Sequence, residues 1–277
     1  MPLTGGEVRF EREHDGRVAV LTLSRPEKLN AITWEMRERV FDHFREIDSD
    51  ADIQVVVIRG EGETFSPGGD IPGFMEVEAH QFVDLGHNLT APARSPKPVI
   101  VAIDGFCFGA GLELSMSCDI RVATRRSQFG QPEIRLGMIP GSGGSQRLVR
   151  YLGRSRAKYY IMTGERFSAA QAHDWGLVVS MVEDADALDA EVDRIVGMLL
   201  GYSPLALRLA LSKISHVGIV VLQGSSTKFA TSATLGYGTD HFTVPALKHP
   251  GAYSLVLTAT DLAGNYTRIT GSLNINR

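Results

Sequence analysis

The 277-residue sequence is poor in cysteine and tryptophan and has no excess of positive charge. With 28 Lys and Arg residues against 32 Asp and Glu residues, its formal net charge is −4, and no basic stripe is present. Because nucleic-acid binding requires a positive surface, the composition predicts no nucleic-acid partner. Cys107 and Cys118 are the two cysteines, and so small a number favours buried free thiols over a disulfide scaffold.

Long apolar runs are also missing. None approaches the roughly 18 residues that a membrane helix needs, so no membrane partner is expected. The first residues, MPLTGGEVRFEREHDG, are polar and lack the apolar region of a secretory signal. The eight histidines are scattered without a metal-ligand spacing. These absences predict a soluble cytoplasmic protein without a metal site.

Up to about residue 212, short β-branched runs alternate with longer helical patterns. Such alternation predicts α/β layers in which helices cover a sheet. Strands are predicted at VAVLTL (18–23), VVVIRG (55–60), VIVAIDG (99–105), DIRVAT (119–124) and LVVSMV (177–182), and helices at residues 34–47, at 75–91, after Gly109, and over SRAKYYIMTG, SAAQAHDWG and DALDAEVDRIVGMLL. Ser155 and Ser168 are the predicted N-caps of two of these helices, and Gly164 and Gly176 their predicted stops.

The amino-acid composition changes after SPLALRLALSK, and this change predicts a domain boundary near Ser212. The following residues are rich in Ser, Thr, Gly, Tyr and Val and nearly free of carboxylates, a composition that predicts β structure. We therefore expect a core of residues 1–212 and an atypical β-rich tail of residues 213–277. Tail strands are predicted at HVGIVVL, HFTV, AYSLVLTATD and Tyr266–Ile275, with Tyr253, Leu255 and Leu257 on one face and Ser254, Val256 and Thr258 on the other.

Two glycine-rich segments follow predicted strands directly, TFSPGGDIPGF (64–74) and DGFCFGAGLELSMSCD (104–119). Glycine allows the main chain to approach a ligand closely, so each junction can direct N–H groups at an oxygen atom. Two such donors from separate loops would form an oxyanion hole. The alternative is that both segments are ordinary tight turns.

Two acids lie among apolar and glycine residues. Glu113 falls near the start of a predicted helix, where its charge could simply interact favourably with the helix dipole. Glu133 could be a solvated acid of a loop. An apolar setting, however, raises the pKa of a carboxyl group and suits proton transfer near neutral pH. Paired carboxyl groups in such a setting can divide the work of acid and base.

These segments, together with LSRPEKLNAIT and FSPGGDI, resemble the enoyl-CoA hydratase/isomerase, or crotonase, superfamily over about residues 8–212. The resemblance implies an α/β fold built as a layered spiral of ββα units. It also implies a lyase of fatty acid metabolism, an enoyl-CoA hydratase that adds water across the 2,3 double bond of an acyl-CoA thioester. No cofactor is implied, since coenzyme A is part of the substrate. A homotrimer or hexamer is implied as the assembly.

Position by position, the resemblance implies that Glu113 and Glu133 are the catalytic acids and that the N–H groups of Gly69 and Ala110 form the oxyanion hole. Alanine at 110 replaces a common glycine of the family, which leaves the main-chain donor in place. Asp70 is expected to order its loop and not to react. The implied contacts with substrate or coenzyme A are Arg25, Lys28, Ala31, Ser66, Gly68, Asp70, Ile71 and Gly141.

Other functions stay open at this point. Relatives of the same fold also isomerise double bonds, hydrolyse thioesters or decarboxylate, and fold alone does not fix the reaction. A non-catalytic acyl-CoA-binding scaffold is a further alternative, because the tail replaces the helical C-terminal region of the family. The end of the tail resembles the closing strands of bacterial immunoglobulin-like domains.

Overall fold

The computed structural model describes residues 5–74 and 87–211, and the backbone of four strands between residues 214 and 275. It divides into two compact units, Met1–Arg208 and Leu209–Arg277. In the described part of the chain, no helix is both long enough and apolar enough to cross a membrane. Cys107 and Cys118 are buried free thiols, as the composition predicts, and burial raises the pKa of both.

A six-stranded sheet in the order β1-β2-β3-β4-β6-β9 forms the centre of the first unit. The β1–β2 pair is antiparallel and all the other pairs are parallel. Every residue of β2 and β4 is buried, as expected for parallel strands covered on both faces. The strands are β1 Glu7–Glu13, β2 Val18–Ser24, β3 Val55–Gly60, β4 Val99–Ile103, β6 Ile120–Thr124 and β9 Ser180–Val182.

Helices cover both faces of this sheet. Alternate residues of one strand belong to different clusters, because successive side chains of a strand point to opposite faces: Leu21 packs with helix α1 and Val20 with helix α7. The helices are α1 Trp34–Ser49, α2 Ile71–Phe74, α3 Ala110–Ser117, α4 Gly144–Leu152, α5 Arg154–Thr163, α6 Ala169–Asp174, α7 Ala185–Leu200 and α8 Pro204–Leu211. The α/β prediction is confirmed. The helix predicted over residues 75–91 falls mostly on residues 75–86, which lie outside the described residues.

The ends of the helices test the capping residues that the sequence predicts. Ser168 caps α6 in a reciprocal capping box, and Gly164 ends α5 in a left-handed conformation, as predicted. The prediction of Ser155 as an N-cap is wrong, because α5 begins at Arg154, so Ser155 lies inside the helix. Gly153 is its cap, and its positive φ of 76° lets the chain turn from α4 directly into α5.

A smaller, three-stranded sheet brings the glycine-rich segments next to one another. Strand β5 (Phe106–Phe108) pairs in parallel with β7 (Gln128–Gly130), and β7 pairs with β8 (Arg166–Ser168). Ser66 adds to β5 on the other side, since its N–H donates to the Phe106 carbonyl at 2.8 Å and its carbonyl accepts from Phe108 at 3.0 Å. Parallel segments end at one edge, so the residues that follow Ser66, β5 and β7 emerge side by side.

The second unit is a four-stranded antiparallel sheet in the order β11-β10-β12-β13. Its strands are β10 Ile214–Gln223, β11 Ser226–Thr234, β12 Gly251–Asp261 and β13 Tyr266–Ile275. Strands therefore occur where HVGIVVL, AYSLVLTATD and Tyr266–Ile275 predicted them. The predicted strand at HFTV lies outside the described residues, and so do the side chains of the tail on which the predicted faces depend. The immunoglobulin-like resemblance and the division at residue 212 stay predictions.

Candidate active site

The loop that contains Gly69 is held against the segment after β2. Ile32 donates its N–H to the Gly68 carbonyl at 2.8 Å and accepts from the Asp70 N–H at 2.9 Å. These two bonds flank Gly69 in a parallel bridge. In such a bridge the middle residue turns its own N–H and C=O to the opposite side. The Gly69 N–H is therefore directed away from Ile32.

The second main-chain donor lies at the start of α3. Ala110 is the first residue of this helix, and Gly109 is its N-cap. An N–H in the first turn has no acceptor within its own helix. Gly109 has φ of 49°, and a Cβ built there would lie 3.7 Å from the Gly68 Cα and 3.3 Å from Oε1 of Glu133. Both predicted oxyanion loops and one predicted acid thus meet around this glycine.

Glu113 projects from α3 into the protein and is only 3% exposed. Its Oε1 accepts hydrogen bonds from the N–H groups of Ser142 at 2.6 Å and Gly144 at 2.8 Å. Burial raises the pKa of Glu113 above its usual value, and these two donors and the positive charge of Arg37 offset only part of that increase. The glycine-rich segment after Glu133 therefore supplies main-chain hydrogen-bond donors to Glu113.

Glu133 lies in the 3₁₀ helix Pro132–Leu136, directly after β7, and is half-buried. Burial, together with the negative charge of Glu113, raises its pKa to about 7, against the opposing effect of its own N–H. The charge of one carboxyl group therefore acts on the titration of the other, so the two acids are coupled.

Sequence reasoning missed Gln131, which is fully buried beside Glu133. One end of its side-chain amide lies 2.8 and 3.1 Å from the two carboxyl oxygens of Glu133. The amide nitrogen donates to an ionised Glu133, and with the amide turned over, its oxygen accepts from a protonated one. Gln131 can therefore serve Glu133 in either protonation state. Its place two residues before the acid was the only available signal.

The predicted coenzyme A contacts divide into an inward and an outward group. Arg25 is 7% exposed, and its Nη1 lies 2.9 Å from Oδ1 of Asp70, so this ion pair joins the loop after β2 to the Gly69 loop. Ser66 and Gly68 are also buried, with the Gly68 N–H 3.2 Å from Oγ of Ser66. Ala31 is half-buried, and the remaining predicted contacts, Lys28, Ile71 and Gly141, are exposed.

A surface cavity of about 350 Å³ borders the loop after β2. Pro26, Leu29, Phe106 and Arg126 are among the residues that line it. Neither Glu113 nor Glu133 lines this cavity, which lies between the loop after β2 and residues near β3 and β5.

Comparisons with known proteins show the family of this chain. The family model described as enoyl-CoA hydratase/isomerase matches residues 13–217. A short-chain-enoyl-CoA hydratase of Clostridium acetobutylicum is 36% identical over 209 residues, which cover 74% of this chain and 80% of that protein. A crotonyl-CoA hydratase of Syntrophomonas wolfei is 37% identical over 204 residues, or 72% of this chain and 78% of that protein.

Solved structures give the same result. An enoyl-CoA hydratase of Bacillus anthracis superposes with a TM-score of 0.68 at 32% identity, covering 73% of this chain and 80% of that one. A Geobacillus kaustophilus structure, described as an enoyl-CoA hydratase subunit, gives 0.69 at 33% identity and covers 73% and 79%. The crotonase-type α/β fold predicted from the sequence is confirmed, and the chain belongs to the enoyl-CoA hydratase/isomerase family.

Proposed function

We propose that this protein is an enoyl-CoA hydratase, a lyase that adds water across the 2,3 double bond of an acyl-CoA thioester. The observation that carries the proposal is that the loops of Gly69 and Ala110 meet at Gly109 beside Glu133, whose carboxyl group is coupled to that of Glu113. The similarity to proteins named as enoyl-CoA and crotonyl-CoA hydratases supports the same reaction.

The two main-chain donors stabilise the charge that forms during the addition. When the water oxygen bonds to C3, the electrons of the double bond move onto the thioester oxygen and make an enolate. The N–H groups of Gly69 and Ala110 bind this oxyanion, and one well-placed donor is worth about 3 kcal/mol. The enolate electrons then form the C–H bond at C2 with an incoming proton, which restores the thioester carbonyl.

The environments of the two acids assign their roles. Burial raises the pKa of Glu113, but two N–H donors and the charge of Arg37 act against it, and we assign Glu113 as the base that takes a proton from water. Glu133, whose pKa is about 7, keeps the remaining proton and delivers it to C2. After one turnover the proton taken from water resides on Glu113, and its transfer to Glu133 or exchange with solvent resets the pair.

The coenzyme A portion lies along the two loops that the Arg25–Asp70 ion pair joins. In this proposal the pair shapes the loops, and the exposed Lys28 faces the negatively charged phosphates. Further proposed contacts with coenzyme A or the acyl chain are Ala31, Ser66, Gly68, Ile71 and Gly141. No cofactor beyond the coenzyme A of the substrate takes part in this scheme.

Assembly, location and domain roles complete the proposal. The family resemblance supports a homotrimer or hexamer, and a cytoplasmic location is part of the same proposal. Residues 1–212 form the catalytic core, and residues 213–277 form a tail in place of the helical C-terminal region of the family.

A spectrophotometric assay tests the reaction directly. Wild-type protein is expected to remove the absorbance of the conjugated thioester of crotonyl-CoA or a longer 2-enoyl-CoA. E113Q and E133Q are each expected to lose about 100-fold or more in kcat, since each removes a proton-transfer group. E38Q, which changes an exposed glutamate of α1, is the matched control and should keep wild-type activity. A folded wild-type protein without turnover on any 2-enoyl-CoA would refute the proposal.

A further inference from the structure

Arg37 is a buried cation close to the proposed base. It lies one turn into α1, after the N-cap Thr33, and is only 4% exposed. Burial lowers its pKa to about 10, and the charge of Glu113 acts in the opposite direction. A charge in the protein interior is costly unless an opposite charge or hydrogen bonds compensate it. Arg37 is therefore placed where a negative partner is needed.

The contacts of Arg37 lead to the segment that holds Glu113. Its Nη1 lies 3.5 Å from Oγ of Ser142, and the N–H of the same serine donates to Oε1 of Glu113 at 2.6 Å. Arg147 reaches this serine from α4, with its Nη1 3.0 Å from the carbonyl oxygen. The guanidinium of Arg37 also lies 5.5 Å from the ring centre of Trp34. Two arginines thus hold the residue that fixes the proposed base.

We propose that Arg37 is a positioning residue for Glu113, which keeps that carboxyl group ionised and fixes the Ser142–Gly144 segment against it. The inference rests on the proposed hydratase reaction, which needs one ionised and one protonated acid. It adds a residue from α1, a helix that supplies none of the groups proposed to touch the substrate.

The charged groups around Glu113 make the effect of Arg37 specific to one acid. Arg37 and Arg147 interact with Glu113 from α1 and α4, and Glu133 faces it as a like charge. The charged side chain that acts on Glu133 is, by contrast, Glu113, and its negative charge opposes ionisation. Removing Arg37 would therefore move the shared proton towards Glu113 and leave the water without a base.

The first measurement needs neither substrate nor a variant of Arg37. Glutamate labelled at its carboxyl carbon is incorporated into the full chain, and NMR follows its titration, with E113Q and E133Q assigning the two signals. In wild-type protein Glu113 is expected to ionise at lower pH than Glu133. The opposite order would overturn the inference, even if hydration itself is confirmed.

The second measurement compares R37Q and R37K with R39Q, which removes an exposed arginine from the same helix. In R37Q the acid limb of the kcat/KM profile and the Glu113 signal should move up by about one to three pH units, because a neighbouring cation lowers a carboxyl pKa by that amount. R37K should restore most of the shift, and R39Q should behave as wild type. Equal loss of activity at every pH in R37Q, with an unmoved Glu113 signal, would reduce Arg37 to a structural residue.

The two measurements separate failure of this inference from failure of the proposed function. If wild-type protein does not hydrate any enoyl-CoA, the proposed function fails. The Glu113 titration in R37Q, compared with that in wild type, still decides whether Arg37 controls Glu113. If R37Q does not fold, the wild-type titration order and the R37K profile decide the question.

Discussion

The N–H of Gly144 donates to Oε1 of Glu113 at 2.8 Å, and a Cβ added to Gly144 would lie 2.9 Å from that same oxygen. The added carbon would also lie 2.6 Å from the Gln131 amide, which adjoins Glu133. The glycine is therefore required by the close approach of the Glu113 carboxyl group and the Gln131 amide.

G144A tests this requirement. The extra methyl group must push Glu113 or Gln131 out of place, and we expect kcat to fall by about 10- to 100-fold, as for small misplacements of catalytic groups. G197A is the matched control, because a Cβ at this exposed position of α7 meets nothing within 4 Å. Steady-state kinetics with crotonyl-CoA is the measurement. Unchanged kcat in G144A would show that Glu113 need not be held in this position.

The pKa of Glu133 predicts how hydration depends on pH. Glu133 must be protonated to donate to C2, and its pKa is raised to about 7. The protonated fraction falls as pH rises through this value, so kcat/KM for hydration should decline above about pH 7. The profile from about pH 5 to about pH 9 measures this limb, whose apparent pKa belongs to the coupled pair. A flat profile across the alkaline range would remove Glu133 from the role of acid.

The same raised pKa predicts a gain in stability for E133Q. Folding raises the pKa of Glu133 from 4.5 to about 7, so the folded state binds more protons in this window and loses stability as pH rises through it. Glutamine cannot ionise and removes this cost. At about pH 8 the free energy of unfolding of E133Q should exceed that of wild type by up to about 3 kcal/mol, and the difference should nearly vanish at about pH 4.

Urea unfolding of both proteins at the two pH values gives the comparison. A variant that is less stable than wild type at the higher pH would show that the glutamate is well solvated or paired there, contrary to the raised pKa.

The Arg25–Asp70 ion pair predicts a structural cost at the loops proposed to bind coenzyme A. Their side chains are 8% and 13% exposed, so R25Q leaves a nearly buried carboxylate without its cation. We expect the free energy of unfolding to fall by about 3 kcal/mol and KM for the acyl-CoA to rise. R125Q breaks the exposed pair with Glu183, 60% and 70% exposed, and should cost at most about 0.5 kcal/mol. Equal costs for both variants would contradict the account.

The sequence predicted the parts of the site that depend on local pattern. Strand, glycine cluster and helix follow one another along the chain at 104–119, so the place of Ala110 at the start of a helix could be inferred without the fold. It did not predict Arg37 or the role of Ser142, because these residues are 105 positions apart and only the packing of α1 against the segment after Glu133 brings them together.

The burial of Arg25 is also something that the sequence did not predict. In the sequence an arginine before a proline is typical of an exposed loop, and a contact with coenzyme A was the natural expectation. Its partner Asp70 is 45 residues away, across the Ile32–Gly69 bridge. Burial of this side chain therefore depends on a tertiary contact that no local pattern contains.

Hydration in water labelled with heavy oxygen tests the central claim most directly. Crotonyl-CoA is incubated with wild-type protein in the labelled water, and mass spectrometry locates the label in the product. The account predicts one solvent oxygen at C3, an intact thioester, and an initial rate of incorporation about 100-fold or more lower with E113Q or E133Q. Label in a free carboxylate with release of coenzyme A, or a shifted double bond without label, would contradict it.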